Sequence, residues 1–444
     1  MKITDDLTSG NISRQLIALA LPLMLGNILQ QLYNTVDAFV IGRYVGDKAF
    51  AAVGVAGSIM NLFIFVISGG CNGISIVFAE IYGQKKRALL RRESFLSLSF
   101  GFLTAAVLGA MGMAALNLLL KAVQTPAEIG GLVRDYLRLI YLGLPVTFLY
   151  NWCSATLRAA GNTQTALWAL LTAICINSLL DFLFVARGSM GISGAALATV
   201  VSQLFSSIVC LCYMKKRYSC LLFGLKDMVM DGRLLMKTLK YGIVSALHQS
   251  SLYIGKLLVQ GAVNTGGIDM ISAYTASSRI EGFVNSFGDS GCAAMSTFTA
   301  QNMGAGKQER VRQGFLSGVK MLFIQGILLS AVMAVTAAPI IRLLTGDSSE
   351  RITANAMAYI EIISLFYVLC FVGNAFVGLY RGLGLVYIPV TGTIFHISLR
   401  VVLSYLFIDK LGLAAVALAT GAGWAGLIGG YSWIYAGCIK KKKG

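Results

Sequence analysis

Apolar segments of about 20 residues or more recur twelve times along this chain, and that recurrence limits its possible folds more than any other feature. A hydrocarbon core of ~30 Å needs about 20 helical residues to cross. Inside it, every backbone N–H and C=O must be satisfied within the protein. The segments fall near residues 14–40, 50–82, 94–120, 135–158, 164–186, 192–214, 238–263, 270–302, 314–342, 354–380, 387–408 and 412–438. Their length and continuity exclude the short alternating strands of an outer-membrane barrel. Of the 444 residues, 57% are hydrophobic and 12% charged, against about 25% charged in a soluble domain. The expected fold class is an all-α polytopic membrane protein with twelve transmembrane helices. The polar start and long first span fit an uncleaved insertion signal rather than a cleaved leader.

Loop charge sets the orientation. With the N-terminus inside, the inner side holds Lys85, Lys86, Arg87, Arg91 and Arg92, the basic loop from Lys215 to Lys240, Lys307, Arg310, Arg312 and the run Lys440 to Lys443. The outer loops hold fewer: Arg43, Lys48, Lys121, Arg134, Arg187, Arg342, Arg351 and Lys410. Both termini are therefore expected in the cytoplasm, with the chain in the cell (plasma or inner) membrane. The net charge of +17 reads as a topology signal, not as a nucleic-acid surface. No nucleic-acid partner and no obligate protein partner is expected. The nine cysteines form no C-x-x-C pair, and His248 and His396 are too far apart for a metal signature. H-E-x-x-H and G-x-S-x-G are absent, so the chain is not expected to be an enzyme.

The chain also repeats itself. FAEIYGQKKRALLRR at Phe78 to Arg92 answers FTAQNMGAGKQERVR at Phe298 to Arg312, at an offset near 221. LRAAG at Leu157 answers YRGLG at Tyr380, and GISGAALAT at Gly191 answers GLAAVALAT at Gly412. Six spans per copy is an even number, so the copies are parallel repeats, with a substrate cavity expected between them. The predicted division is 1–214 for the N-terminal lobe, 215–237 for a basic cytoplasmic linker and 238–444 for the C-terminal lobe. Arg158 and Arg381 fall at equivalent helix ends, where interfacial snorkelling is expected. Gly69, Gly70 and Gly73 answer Gly288 and Gly291, which fits close helix packing.

Where the copies differ, the fold alone does not dictate the residue. Asp37 answers Leu258, and Tyr33 answers Ile254. Asn177 and Asp181, four apart and so on one helix face, answer Arg400 and Ser404. An intramembrane acid needs partners or a proton, and two neighbouring carboxylates resist ionising together. Asp37 and Asp181, with Tyr33, Asn177 and Thr199 as hydrogen-bonding neighbours, are the candidate proton or cation site. The same oxygens suit Na⁺, at Asp37, Asn177, Asp181 and Thr199. Asp181 bonded simply to neighbouring helices is the structural alternative. Gln30, Asn34, Lys256, Glu281 and Arg400 are candidate cavity residues. For the last three, a self-neutralising buried triad is the alternative. Pro22 removes a backbone donor and permits a bend in the first helix.

Taken together, Pro22, YNTVDAFVIG at Tyr33 to Gly42, LRAAGNTQT at Leu157 to Thr165, NSLLD at Asn177 to Asp181, LAT at Leu197 to Thr199 and RIEGFVNSFGDS at Arg279 to Ser290 resemble the multidrug and toxic compound extrusion (MATE) family along essentially the whole chain. The resemblance implies two six-helix lobes around a V-shaped cavity. It implies a secondary antiporter that exports cationic or lipophilic small molecules in exchange for H⁺ or Na⁺ by alternating access. Asp37, Asn177, Asp181, Thr199 and Tyr33 match the family's N-terminal polar cluster, and Pro22 its bending first helix. The departure is in the second lobe, where span seven offers Lys256 and span ten only Glu361, so a cation site there is not expected. No cofactor beyond the coupling ion is implied. The expected partners are a small organic cation and the lipid bilayer. A lipid-linked oligosaccharide flippase of the same superfamily is the alternative function; its phosphate-bearing substrate calls for a basic cavity, which Lys256 and Arg400 favour and Asp37, Asp181 and Glu281 oppose.

Overall fold

The computed structural model describes residues 6–345 and 350–440; for 34–39, 344–345 and 438–440 it describes the helical backbone only. Among the described residues there is no strand, and long helices follow one another in chain order. They are α1 (Ile12–Tyr44), α2 (Asp47–Gly83), α3 (Arg87–Ala122), α4 (Ala127–Ala159), α5 (Thr163–Asp181), α6 (Gly191–Arg217), α7 (Gly232–Asn264), α8 (Ile268–Gly304), α9 (Gln308–Thr345), α10 (Glu350–Gly382), α11 (Tyr387–Leu411) and α12 (Leu413–Lys440). Each contains or closely matches one of the twelve apolar segments. A π-helical turn (Phe182–Arg187) extends α5, and two 3-10 turns lie between α6 and α7.

Nine of the described helices are long and apolar enough to cross a membrane. The other three, α4, α7 and α8, are equally long but more polar, and each carries charge as well. Arg134, Asp135 and Arg138 lie on α4, Lys237, Lys240 and Lys256 on α7, and Arg279, Glu281 and Asp289 on α8. Leu103, Leu118, Val335, Leu365 and Trp433 are all more than half exposed. Apolar surface on that scale suits lipid, not water.

Two compact units divide the chain. The first is built on Leu21–Gln249 with Gly304–Gly306, and the second on Thr8–Ala20, Ser250–Met303 and Lys307–Gly444. The divisions fall inside α1, beside Pro22, and inside α7. In the first unit α4 is central and packs on α2, α3, α5 and α6. Trp152 of α4 is fully buried, donates its indole N–H to Ser97 Oγ of α3 at 2.9 Å, and meets Phe78 of α2 edge-on. In the second unit the repeat partner α10 packs on α9, α11 and α12. Tyr380 of α10 donates to the Tyr431 carbonyl of α12 at 2.6 Å.

Arg158 and Arg381 do share a role, but it is not snorkelling. Arg158 donates to Ser154 Oγ at 3.1 Å and to Asn72 Oδ1 of α2 at 3.4 Å. Arg381 turns toward Cys292 Sγ of α8 at 3.8 Å. Each guanidinium ties the end of a central helix to its neighbour. Of the three α2 glycines, Gly69 and Gly73 serve close packing, whereas Gly70 faces open space. A Cβ at Gly69 would strike the backbone of Ser245 and Ala246, and one at Gly73 that of Tyr241 and Gly242. These glycines bring α2 against the first half of α7.

Candidate functional site

In the first unit α5 and α6 bring three of the predicted residues together. Asn177 and Asp181 are 1% and 2% exposed, in the last turn and a half of α5. With the amide oriented so that both of its ends are satisfied, Asn177 Nδ2 donates to Asp181 Oδ2 at 2.7 Å, and its Oδ1 accepts from the Thr199 N–H at 3.1 Å. That orientation is assigned from the hydrogen-bond network. Thr199 Oγ1 donates to the Ala195 carbonyl at 3.1 Å, leaving its lone pairs for the Tyr33 hydroxyl 3.5 Å away. Tyr33 therefore joins the cluster from α1. Asp37 and Asn34 belong to α1 as well, but their side chains lie outside the described residues. Gln30 is half-buried one turn earlier, and Pro22 is buried.

Above the cluster sits apolar packing. Ile41 of α1, Ala49 of α2, Val185 of the π-turn and Ala195 of α6 form one buried core, none more than 4% exposed, with Val40, Val45 and Val53 packed against it. The π-turn directly follows Asp181. The Gly188 N–H reaches back five residues to the Leu183 carbonyl at 2.8 Å, and the Met190 N–H to Phe184 at 3.0 Å. Such insertions are frequent at functional sites.

A second buried acid, Glu93, was not singled out from the sequence. It is fully buried near the start of α3. Thr238 Oγ1 of α7 lies 2.8 and 2.9 Å from its two carboxylate oxygens. Beside it Lys237 pairs with Glu80 of α2 at 2.7 Å. The available signal was the repeat comparison, since the second copy has Gly314 near the matching place.

In the second unit Glu281 and Arg400 fall in one cluster without a direct ion pair, and Lys256 lies apart. Among the described residues no ion pair within 4.0 Å joins Lys256, Glu281 and Arg400. Glu281 of α8 accepts from the Tyr367 hydroxyl of α10 at 3.2 Å. Arg400 of α11 donates to Tyr274 Oη of α8 at 3.3 Å. Tyr274 meets Tyr359 edge-on at 5.6 Å, Tyr367 meets Trp424 at 5.4 Å, and His396 stacks parallel to Trp424. Both charges are thus held by tyrosine hydroxyls inside an aromatic frame. Lys256 is exposed on α7, away from that frame's hydrogen bonds. The aromatic partners were not legible as a site, because they come from α8, α10 and α12 and share no motif.

Comparison with known proteins converges on one family. The MatE family model matches twice, over residues 22–183 and 244–406. The two matches reproduce the internal repeat at nearly the offset read from the motifs. The chain is 28% identical to a probable multidrug resistance protein, YpnP, of Bacillus subtilis (strain 168), over 94% of this chain and 93% of that one. It is 28% identical to a second from the same strain, the probable multidrug resistance protein YoeA, over 81% and 79%. Among solved structures, a MATE transporter in its bent conformation superposes with a TM-score of 0.91, covering 98% of each chain at 23% identity. That likeness speaks for the fold. The family match spans most of both halves, and the chain belongs to the MatE family of multidrug efflux transporters.

Proposed function

We propose that this protein is a secondary antiporter of the cell membrane, exporting cationic or lipophilic small molecules in exchange for H⁺ or Na⁺ by alternating access. Both termini lie in the cytoplasm in this reading, as the loop charges favour. The observation that carries it is the buried Asn177–Asp181–Thr199–Tyr33 cluster, whose acid has no counterpart in the second repeat. A carboxylate buried between helices is costly while charged. Taking up a proton or Na⁺ at Asp181 and Asp37 removes that cost and favours one helix arrangement over the other. Substrate binding favours the opposite arrangement, so export is linked to ion entry. Pro22 acts as the hinge of α1; the boundary between the two units beside it supports that role. Gln30, Asn34, Lys256, Glu281 and Arg400 remain the candidate substrate residues of this reading, with Glu281 and Arg400 acting through their tyrosines.

The test is export of a fluorescent organic cation from proteoliposomes, with pH and Na⁺ gradients imposed separately. Asp37→Asn and Asp181→Asn should each lower gradient-driven export at least ~10-fold, about 1.4 kcal/mol of coupling. Full gradient-driven export by both variants would reject the site assignment. The gradient that drives the unmodified protein identifies the ion.

A further inference from the structure

We infer that Ile41, Ala49, Val185 and Ala195 form a hydrophobic gate over the ion site of the first unit, and that the coupling ion enters when this gate opens. The inference deepens the antiport reading and rests on it. Three helices give the same vertical order. Ile41 lies one turn beyond Asp37 along α1, Val185 one turn beyond Asp181, and Ala195 one turn before Thr199 on α6. Because α6 runs opposite to α1 and α5, all three apolar residues lie on the same side of the polar residues. That side is the end of the unit where α1 turns into α2 and α5 into α6. The two turns meet there: a Cβ at Gly191 would be 3.9 Å from Val45. The loop charges assign this end to the outside.

The gate is dry by construction. Its four central residues are buried and carry no polar side-chain atom. Constrictions of this kind block ions by excluding water, without needing to fill the whole path. The π-turn fits the same role. A widened turn rotates less per residue, so Val185 stays stacked over Asp181. It also leaves the α5 end on a backbone ladder that departs from the regular one, bonded five and six residues back. Gly194 lets α6 close on it, since a Cβ there would crowd Phe184 and Met190. Polar residues below and apolar residues above make an ion site closed toward one face.

The test leaves the shape of the gate intact and wets it. Val185→Thr with Ala195→Ser adds two hydroxyls at almost unchanged volume. In substrate-free proteoliposomes of the full chain, under the same separate pH and Na⁺ gradients, this double variant should leak the coupling ion about tenfold faster than the unmodified protein. Adding Asp181→Asn should return the leak to the unmodified level. A leak no greater than in the unmodified protein, or one that persists with Asp181→Asn, overturns the gate. If the double variant fails to bind the fluorescent cation, Val185→Thr alone is held to the same criteria. The leak is read without substrate, whereas wild-type export by both Asp37→Asn and Asp181→Asn would remove the coupling reading, so the two failures are separable.

Discussion

Thr199 uses one oxygen twice, donating to Ala195 and standing 3.5 Å from the Tyr33 phenol. Thr199→Val keeps the shape and deletes that oxygen. Polar contacts between membrane helices average about 0.6 kcal/mol and reach about 1.7, so coupled export should fall roughly three- to twentyfold, with the melting temperature nearly unchanged. Tyr33→Phe should fall in the same range, because it removes the other end of the contact. Glu93 invites a stability measurement. Thr238→Val leaves the buried carboxyl without its hydroxyl partner and should cost about 1–3 kcal/mol, read as a lower melting temperature in detergent. Glu93→Gln should cost less, because an amide still bonds Thr238. Equal losses in the two variants would count against this account of the pair. Asn177 and Asp181 were legible in the sequence because four-residue spacing on a helix is contact. Glu93 was not, since an acid beside the start of an apolar run reads as an interfacial charge until a hydroxyl from a helix 145 residues away is seen above it.

At the level of elements, periodicity and apolar length were enough to place every long helix, because a bilayer leaves few other ways to satisfy a backbone. The π-turn was invisible. FLFVAR continues the apolar pattern of NSLLD without a proline or glycine to mark a change of pitch. The direct pairing of Glu281 with Arg400 failed for a related reason. Charge alone predicts pairing, whereas tyrosines from other helices supplied the cheaper partners. The α2–α7 contact is a close backbone-to-backbone approach. Gly73→Leu must push α7 away from α2, and overpacking of this kind costs about 1–3 kcal/mol. The expected result is a lowered melting temperature together with loss of the Lys237–Glu80 pair, whereas Gly70→Ala, where a Cβ meets open space, should be tolerated.

For the whole molecule, several basic residues read as topology signals have definite partners. Lys307 donates to the Thr8 carbonyl at 2.8 Å, and Arg310 to the Gly10 carbonyl at 2.9 Å and to Gln15 at 2.7 Å. The start of α1 is thereby tied to the start of α9 within the second unit. Arg310→Ala should loosen that tie, seen as faster amide exchange in residues 8–15. The sharing of α7 has a consequence for synthesis. The first six helices are synthesised before Lys237 and Thr238, so until then Glu80 lacks its ion-pair partner and Glu93 its hydroxyl partner. The first unit can mature only after translation passes about residue 250, because its boundary lies at Gln249. A fragment stopped at Arg217 should be degraded by the cell's quality control, while one extended through Gln249 should persist.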